Sequence, residues 1–153
     1  MLIDYLAGKI LTGVFMLICA ACDIRENKID IRIFGIMLFA ELCGYIGIGL
    51  LGAEIDFVAI AAGAASGILI WMLSRITNGS IGTGDAIFFG LTGVAMGGLW
   101  NALLFIAGLA VCAIYALILA AAGMMRGRPV RNQSFAMLPM VFPVGILLLI
   151  LRR

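Results

Sequence analysis

The chain has 153 residues, 65% of them hydrophobic and 12% charged, with a net charge of only +2 and no histidine. Mean hydropathy is +1.23. A soluble domain of this length has too little interior to hide so much apolar surface, so the solvent is lipid. The small net charge gives no footing for a nucleic-acid partner, and the missing histidine removes a Ser-His triad, a Cys-His pair and the commonest metal ligand.

The pattern predicts an all-α polytopic membrane protein, a single transmembrane domain over residues 1–153 with six helices. The first apolar run, about Tyr5 to Cys22, leads into a charged loop and five further apolar runs, so it reads as a helix and not as a cleaved signal peptide. Lys9 lies near enough to one end of it to snorkel. The decapeptide Asp23 to Arg32 is the most charged in the protein. A second helix is expected from about Ile33 to Leu51, interrupted by Glu41. An acidic turn, Gly52 to Asp56, then leads into a third helix from about Phe57 to Leu73. Within the third helix, Gly63-Ala64-Ala65-Ser66-Gly67 is a small-residue patch suited to close helix packing. The loop that follows carries Arg75 and ends in Gly82-Thr83-Gly84-Asp85.

From Ala86 to Met125 the chain is almost wholly apolar. As one helix, this stretch would be about 60 Å long, roughly twice the hydrocarbon thickness. Gly97 to Asn101 is the turn inside it, with Trp100 placed as an interfacial anchor. Helix 4 is therefore expected from about Asp85 to Gly97 and helix 5 from about Ala102 to Met125. A basic loop, Arg126 to Gln133, precedes helix 6, about Phe135 to Leu151, where Pro139 and Pro143 kink its beginning. The loops after helices 1, 3 and 5 hold seven of the ten basic residues. Positive loops stay in the cytoplasm, which predicts both termini outside.

The polar residues that stand out are acids. Asp23 falls at the end of helix 1 and Asp85 at the start of helix 4, so the topology brings both to one depth on the cytoplasmic side. A carboxylate at the edge of hydrocarbon costs a few kcal/mol and marks a functional site. As a pair, one ionised acid can take a proton from water while the other, protonated, hydrogen-bonds a scissile carbonyl. Plain alternatives stand beside this reading: Asp85 as an N-cap of its own helix, and both acids as unrelated loop residues. The glycines at 82 and 84, lacking Cβ, let another backbone approach closely. The four cysteines, Cys19, Cys22, Cys43 and Cys112, all lie in apolar runs. The lone C-x-x-C has no second pair to complete a zinc site, so neither metal nor cofactor is expected. Glu41 sits mid-helix and is expected to be protonated or paired, with Lys9 a conceivable partner. The methionines and phenylalanines read as lipid-facing or core packing.

Six helices, an Asp after the first and Gly-x-Gly-Asp before the fourth resemble the type IV prepilin peptidases, a family that includes the archaeal preflagellin peptidases. Presenilin-type intramembrane proteases share the Gly-x-Gly-Asp arrangement. In the family the first aspartate opens a run like Asp-x-Arg-x-x-x-Ile-Pro-Asn; here Asp23, Arg25 and Ile29 match, while Asp30 and Ile31 stand at the Pro and Asn positions. Gly82, Gly84 and Asp85 match the second motif, with Ile87 where a lysine often follows. The proline-rich start of helix 6, Leu138-Pro139 to Phe142-Pro143, is also similar. The resemblance implies a hydrolase of the inner (cytoplasmic) membrane. Such an enzyme is an aspartic endopeptidase that cleaves the leader of a prepilin or pilin-like preprotein at the cytoplasmic face. Asp23 and Asp85 would be catalytic, with Gly82, Thr83 and Gly84 against the substrate. Pilus or secretion assembly components would be partners. On their charge, Glu26 and Asp30 could attract a basic leader peptide, or stand simply as solvated residues of an alternating-charge loop. Longer members carry paired C-x-x-C motifs and a methyltransferase activity; that insert is missing here, and the short form resembles the peptidases of Tad-type pili. Two other classes remain beside it: a small transporter or channel using Asp23, Glu41 and Asp85, and an inactive scaffold of a secretion complex.

Overall fold

The computed structural model describes residues 2–26, 29–76, 82–125 and 137–152. Among these a 3-10 turn, Leu2–Asp4, precedes six helices: α1 (Leu6–Glu26), α2 (Ile31–Leu50), α3 (Phe57–Ile76), α4 (Thr83–Met96), α5 (Gly98–Met125) and α6 (Leu138–Leu151). By length and composition, α1, α2, α3 and α5 are apolar enough to cross a membrane. Their outer faces carry exposed apolar side chains such as Leu50, Val58 and Leu117, which water would not tolerate in such numbers.

The helix ends follow local chemistry. The Asp30 carboxylate accepts the Arg32 N–H at 2.9 Å and caps α2. Asp56 Oδ1 does the same for α3, accepting from Ala59 N at 2.9 Å. α2 stops in a Schellman motif: Gly52 has φ 73°, its N–H reaches Gly49 O at 3.0 Å, and Ala53 N reaches Ile48 O at 3.2 Å. The boundary of α4 and α5 is narrower than the expected turn over residues 97–101. Gly97 alone breaks the helix, with φ 84°, and α5 is already under way at Gly98. α1 runs on to Glu26 and α2 begins at Ile31, so most of the charged decapeptide is helix end and cap, not loop. The start of helix 6 expected near Phe135 and the basic loop before it lie outside the described residues. Pro139 falls in the opening turn of α6 and Pro143 lies within the helix.

Small residues set the closest approach in the bundle. A Cβ built on Gly63 would lie 1.9 Å from Gly93 O, and one on Gly67 would lie 2.4 Å from Gly90 Cα. The patch read from the sequence thus lets α3 and α4 touch backbone to backbone. An aromatic chain crosses the core beside it: Phe34 and Phe15 edge to face at 6.2 Å, Phe15 stacked on Phe88 at 5.6 Å, then Phe88, Phe89 and Phe105 edge to face.

α6 runs antiparallel to both α1 and α5. α1 and α6 meet at Gly13 with Ile146 and at Asp23 with Leu138, while α5 and α6 meet at Gly108 with Val141. One end of the bundle therefore collects the end of α1 and the starts of α2, α4 and α6. Arg25, Arg32 and Arg75 lie at this end. At the other end Arg152 pairs with Asp4 at 2.7 Å, lies over the Trp100 ring and donates to Met96 O, while Lys9 donates to Arg152 O. Lys28, Arg126, Arg128 and Arg131 lie outside the described residues, so their share of the basic bias is not placed.

Candidate active site

The two acids singled out in the sequence come from different helices and open on one cleft of about 390 Å³. Asp23 enters from the last turn of α1, Asp85 from the first turn of α4, and Gly82, Thr83 and Gly84 line the cleft with them. The other wall is apolar: Ile29, Ile31, Phe34 and Ile87. Both carboxylates are half-buried, and Asp23 lies close enough to act electrostatically on Asp85.

Each acid is held by a helix start. The N-cap of α4 is Gly82, not Asp85, and no side chain serves it as a cap. Asp85 stands at the third helical position, its Oδ2 folded back until it would be 3.1 Å from a Cβ on Gly82. That is tighter than an ordinary carbon–oxygen contact, so glycine makes room at 82 for the carboxylate itself. At Gly84, which also lines the cleft, a Cβ would meet nothing within 4 Å. Asp23 is held from outside its own helix: its Oδ2 accepts the Leu138 N–H at the start of α6 at 3.0 Å. Helix starts carry orphan N–H groups and a positive partial charge, which offset part of the cost of holding a half-buried carboxylate.

The remaining acids of the sequence reading fall elsewhere. Glu26 is exposed at the end of α1, and Asp30 is exposed and occupied in capping α2; neither lines the cleft. Glu41 is fully buried in α2 away from the cleft, and neither carboxylate oxygen has a hydrogen-bond partner. The pairing with Lys9 conceived from the sequence is not formed, because Lys9 is turned to Arg152 O near the end of α6. Among the described residues no three metal-binding side chains gather, and the four cysteines are free thiols.

Two polar groups were not singled out as structural. Asn101, which the sequence places in the turn over residues 97–101, is fully buried. Its Oδ1 accepts from Thr92 Oγ1 at 3.0 Å, and its Nδ2 donates to Phe89 O at 2.9 Å and to Ser66 Oγ, so it ties α3, α4 and α5 together. The usable signal was a lone amide inside an apolar run, which must find partners once buried. Tyr45 donates to Val94 O at 2.6 Å and joins α2 to α4. Comparison of the chain with family models, with curated proteins and with solved structures gave no match.

Proposed function

We propose that the chain is an intramembrane aspartyl endopeptidase that cleaves the leader of a pilin-like preprotein at the cytoplasmic face of the inner membrane. One observation carries the reading: two half-buried carboxylates from distant helices share a cleft whose other walls are glycine backbone and apolar side chains. In this reading six helices cross the membrane, both termini are external, and the acid-bearing end faces the cytoplasm.

The chemistry needs nothing beyond the two acids and water. One carboxylate, ionised, takes a proton from water as the oxygen attacks the scissile carbonyl. The other, protonated, donates a hydrogen bond to the carbonyl oxygen and stabilises the charge that develops there. The tetrahedral intermediate then collapses, the C–N bond breaks, and the leaving nitrogen takes the proton gained by the first acid. The two carboxylates finish with their roles restored. Open space at Gly84 leaves room for a substrate backbone in the cleft that Asp23 and Asp85 both line.

The test is co-expression with pilin-like preproteins of the same genome, reading leader removal on gels and by mass. Asp23→Asn and Asp85→Asn are each expected to abolish cleavage. Full processing by either variant refutes the reading.

Glu41 favours a second reading, a proton or cation path, because a sealed carboxyl with no partner is costly in lipid unless it has a use. Against it, Glu41 does not open on the cleft that holds the other two acids. Loss of proton flux in liposomes on Glu41→Gln, with no cleavage by the unaltered protein, would decide for transport.

A further inference from the structure

The first turn of α6 has one backbone donor that its own helix does not use. Pro139 has no N–H. Met140 N and Val141 N both bond to Met137 O, at 3.0 and 3.3 Å. The Leu138 N–H alone points out of the turn, and it meets Asp23 Oδ2 at 3.0 Å. The donor is not free to wander. The Leu138 and Val141 side chains are both buried, and Val141 Cγ2 would lie 2.8 Å from a Cβ on Gly108, so the turn is seated against α5.

We infer that the Leu138 backbone N–H is a positioning group for catalysis, fixing the Asp23 carboxylate in the cleft it shares with Asp85. The inference rests on the peptidase reading of that cleft. Oδ2 is committed to the amide, so Oδ1 is the oxygen left for water or the scissile carbonyl. The two acids are thereby held in different ways. Asp85 is set by the start of its own helix, whereas Asp23 is set by how α6 packs. A side chain at the end of a helix, beside water, would otherwise sample several rotamers, and an acid misplaced by about 1 Å costs on the order of 100-fold in rate.

The test replaces single amides by esters, incorporating the α-hydroxy acid analogue at one position of the full-length protein. The ester at 138 removes the N–H that Asp23 uses and keeps the leucine side chain. An ester at 140 removes an N–H of the same turn that serves only Met137 O, and is the control for a damaged helix start. With a soluble leader peptide in detergent, the ester at 138 is expected to lower kcat roughly 10- to 100-fold, the range for loss of a charge-assisted hydrogen bond, with KM unchanged. The ester at 140 should stay within about threefold of the unaltered enzyme, since the Asp23 contact is untouched. Equal kcat for the two esters overturns the inference while leaving the peptidase reading intact.

A second measurement needs no activity. In protein labelled with 15N-leucine, the Leu138 amide proton resonance should move upfield on Asp23→Ala, and no shift overturns the contact itself. If the unaltered protein cleaves no preprotein, the peptidase reading fails, and the catalytic role of Leu138 fails with it even where the resonance moves.

Discussion

Gly63→Ala adds one methyl group at the tightest point of the bundle. The new Cβ would stand 1.9 Å from Gly93 O and 2.3 Å from Gly93 C, backbone atoms that no rotamer change can move aside. Carbon and oxygen need about 3.4 Å, so α3 and α4 must part locally by about 1.5 Å. Ser66 moves with α3 while Asn101 is held to α4 through Thr92 and Phe89 O, so the parting also strains the bond from Asn101 Nδ2 to Ser66 Oγ. Overpacking of this kind costs about 1–3 kcal/mol and a lost buried hydrogen bond about 1 more, against a gain of about 1 from replacing glycine in a helix. The net expectation is a loss of about 1–3 kcal/mol. Because α4 carries Asp85, the displacement should also lower kcat/KM for a soluble leader peptide by about 10- to 100-fold. Gly35→Ala is the control, since a Cβ there meets nothing within 4 Å. Unfolding by denaturing detergent in mixed micelles reads the stability, and peptide cleavage reads the rate. A Gly63→Ala protein as stable and active as Gly35→Ala would refute the backbone contact.

Glu41→Gln should retain cleavage within about threefold, because the side chain is sealed away from the cleft; its loss in the co-expression assay would assign Glu41 to the catalytic machinery. Asn101→Ala should lower stability by about 2–4 kcal/mol, since it removes three hydrogen bonds and leaves buried partners unmatched; thermal unfolding in detergent is the measurement, and an unchanged midpoint would count against the network. Arg152→Ala removes a half-buried pair with Asp4 and a bond to Met96 O, with an expected loss of about 1–2 kcal/mol after discounting for the exposed acid; the same unfolding assay checks it. A cysteine introduced at Arg32 should resist an impermeant maleimide added to intact cells and react after lysis. Reaction from outside would reverse the proposed orientation.

The sequence made the helices legible because lipid demands long apolar runs and backbone hydrogen bonds closed within each run. It also made the Gly63 patch legible, since close helix contact requires small residues wherever it occurs. The break between α4 and α5 was less so. Trp100 and Asn101 look like turn residues locally, yet burial of Asn101 against Ser66 and Thr92 pulls both into helix. Pairing across the bundle was not legible at all. Nothing in the spacing says that Lys9 turns to the end of α6 in place of Glu41, or that Leu138 meets Asp23. Periodicity reports which residues share a face, not which helix covers it. The acids at 23 and 85 were identifiable because charge in such a place is rare. Glu26 and Asp30 belong to a charged segment where solvation and capping are sufficient reason for their presence.

The brevity of α4 bears on how water would reach the proposed catalytic acids. The helix has 14 residues between Gly82 and Gly97, about 21 Å against a hydrocarbon slab of about 30 Å. Set across a bilayer, it leaves a hydrophobic mismatch of about 9 Å, relieved by local thinning of the lipid or by water drawn in at the helix end. Either response thins the barrier between bulk water and the turn that carries Asp85. On the proposed peptidase reading, acyl-chain length becomes a rate variable: thick membranes deepen the dimple and strain the site, while thin ones relax it, with no change in the protein's own sequence.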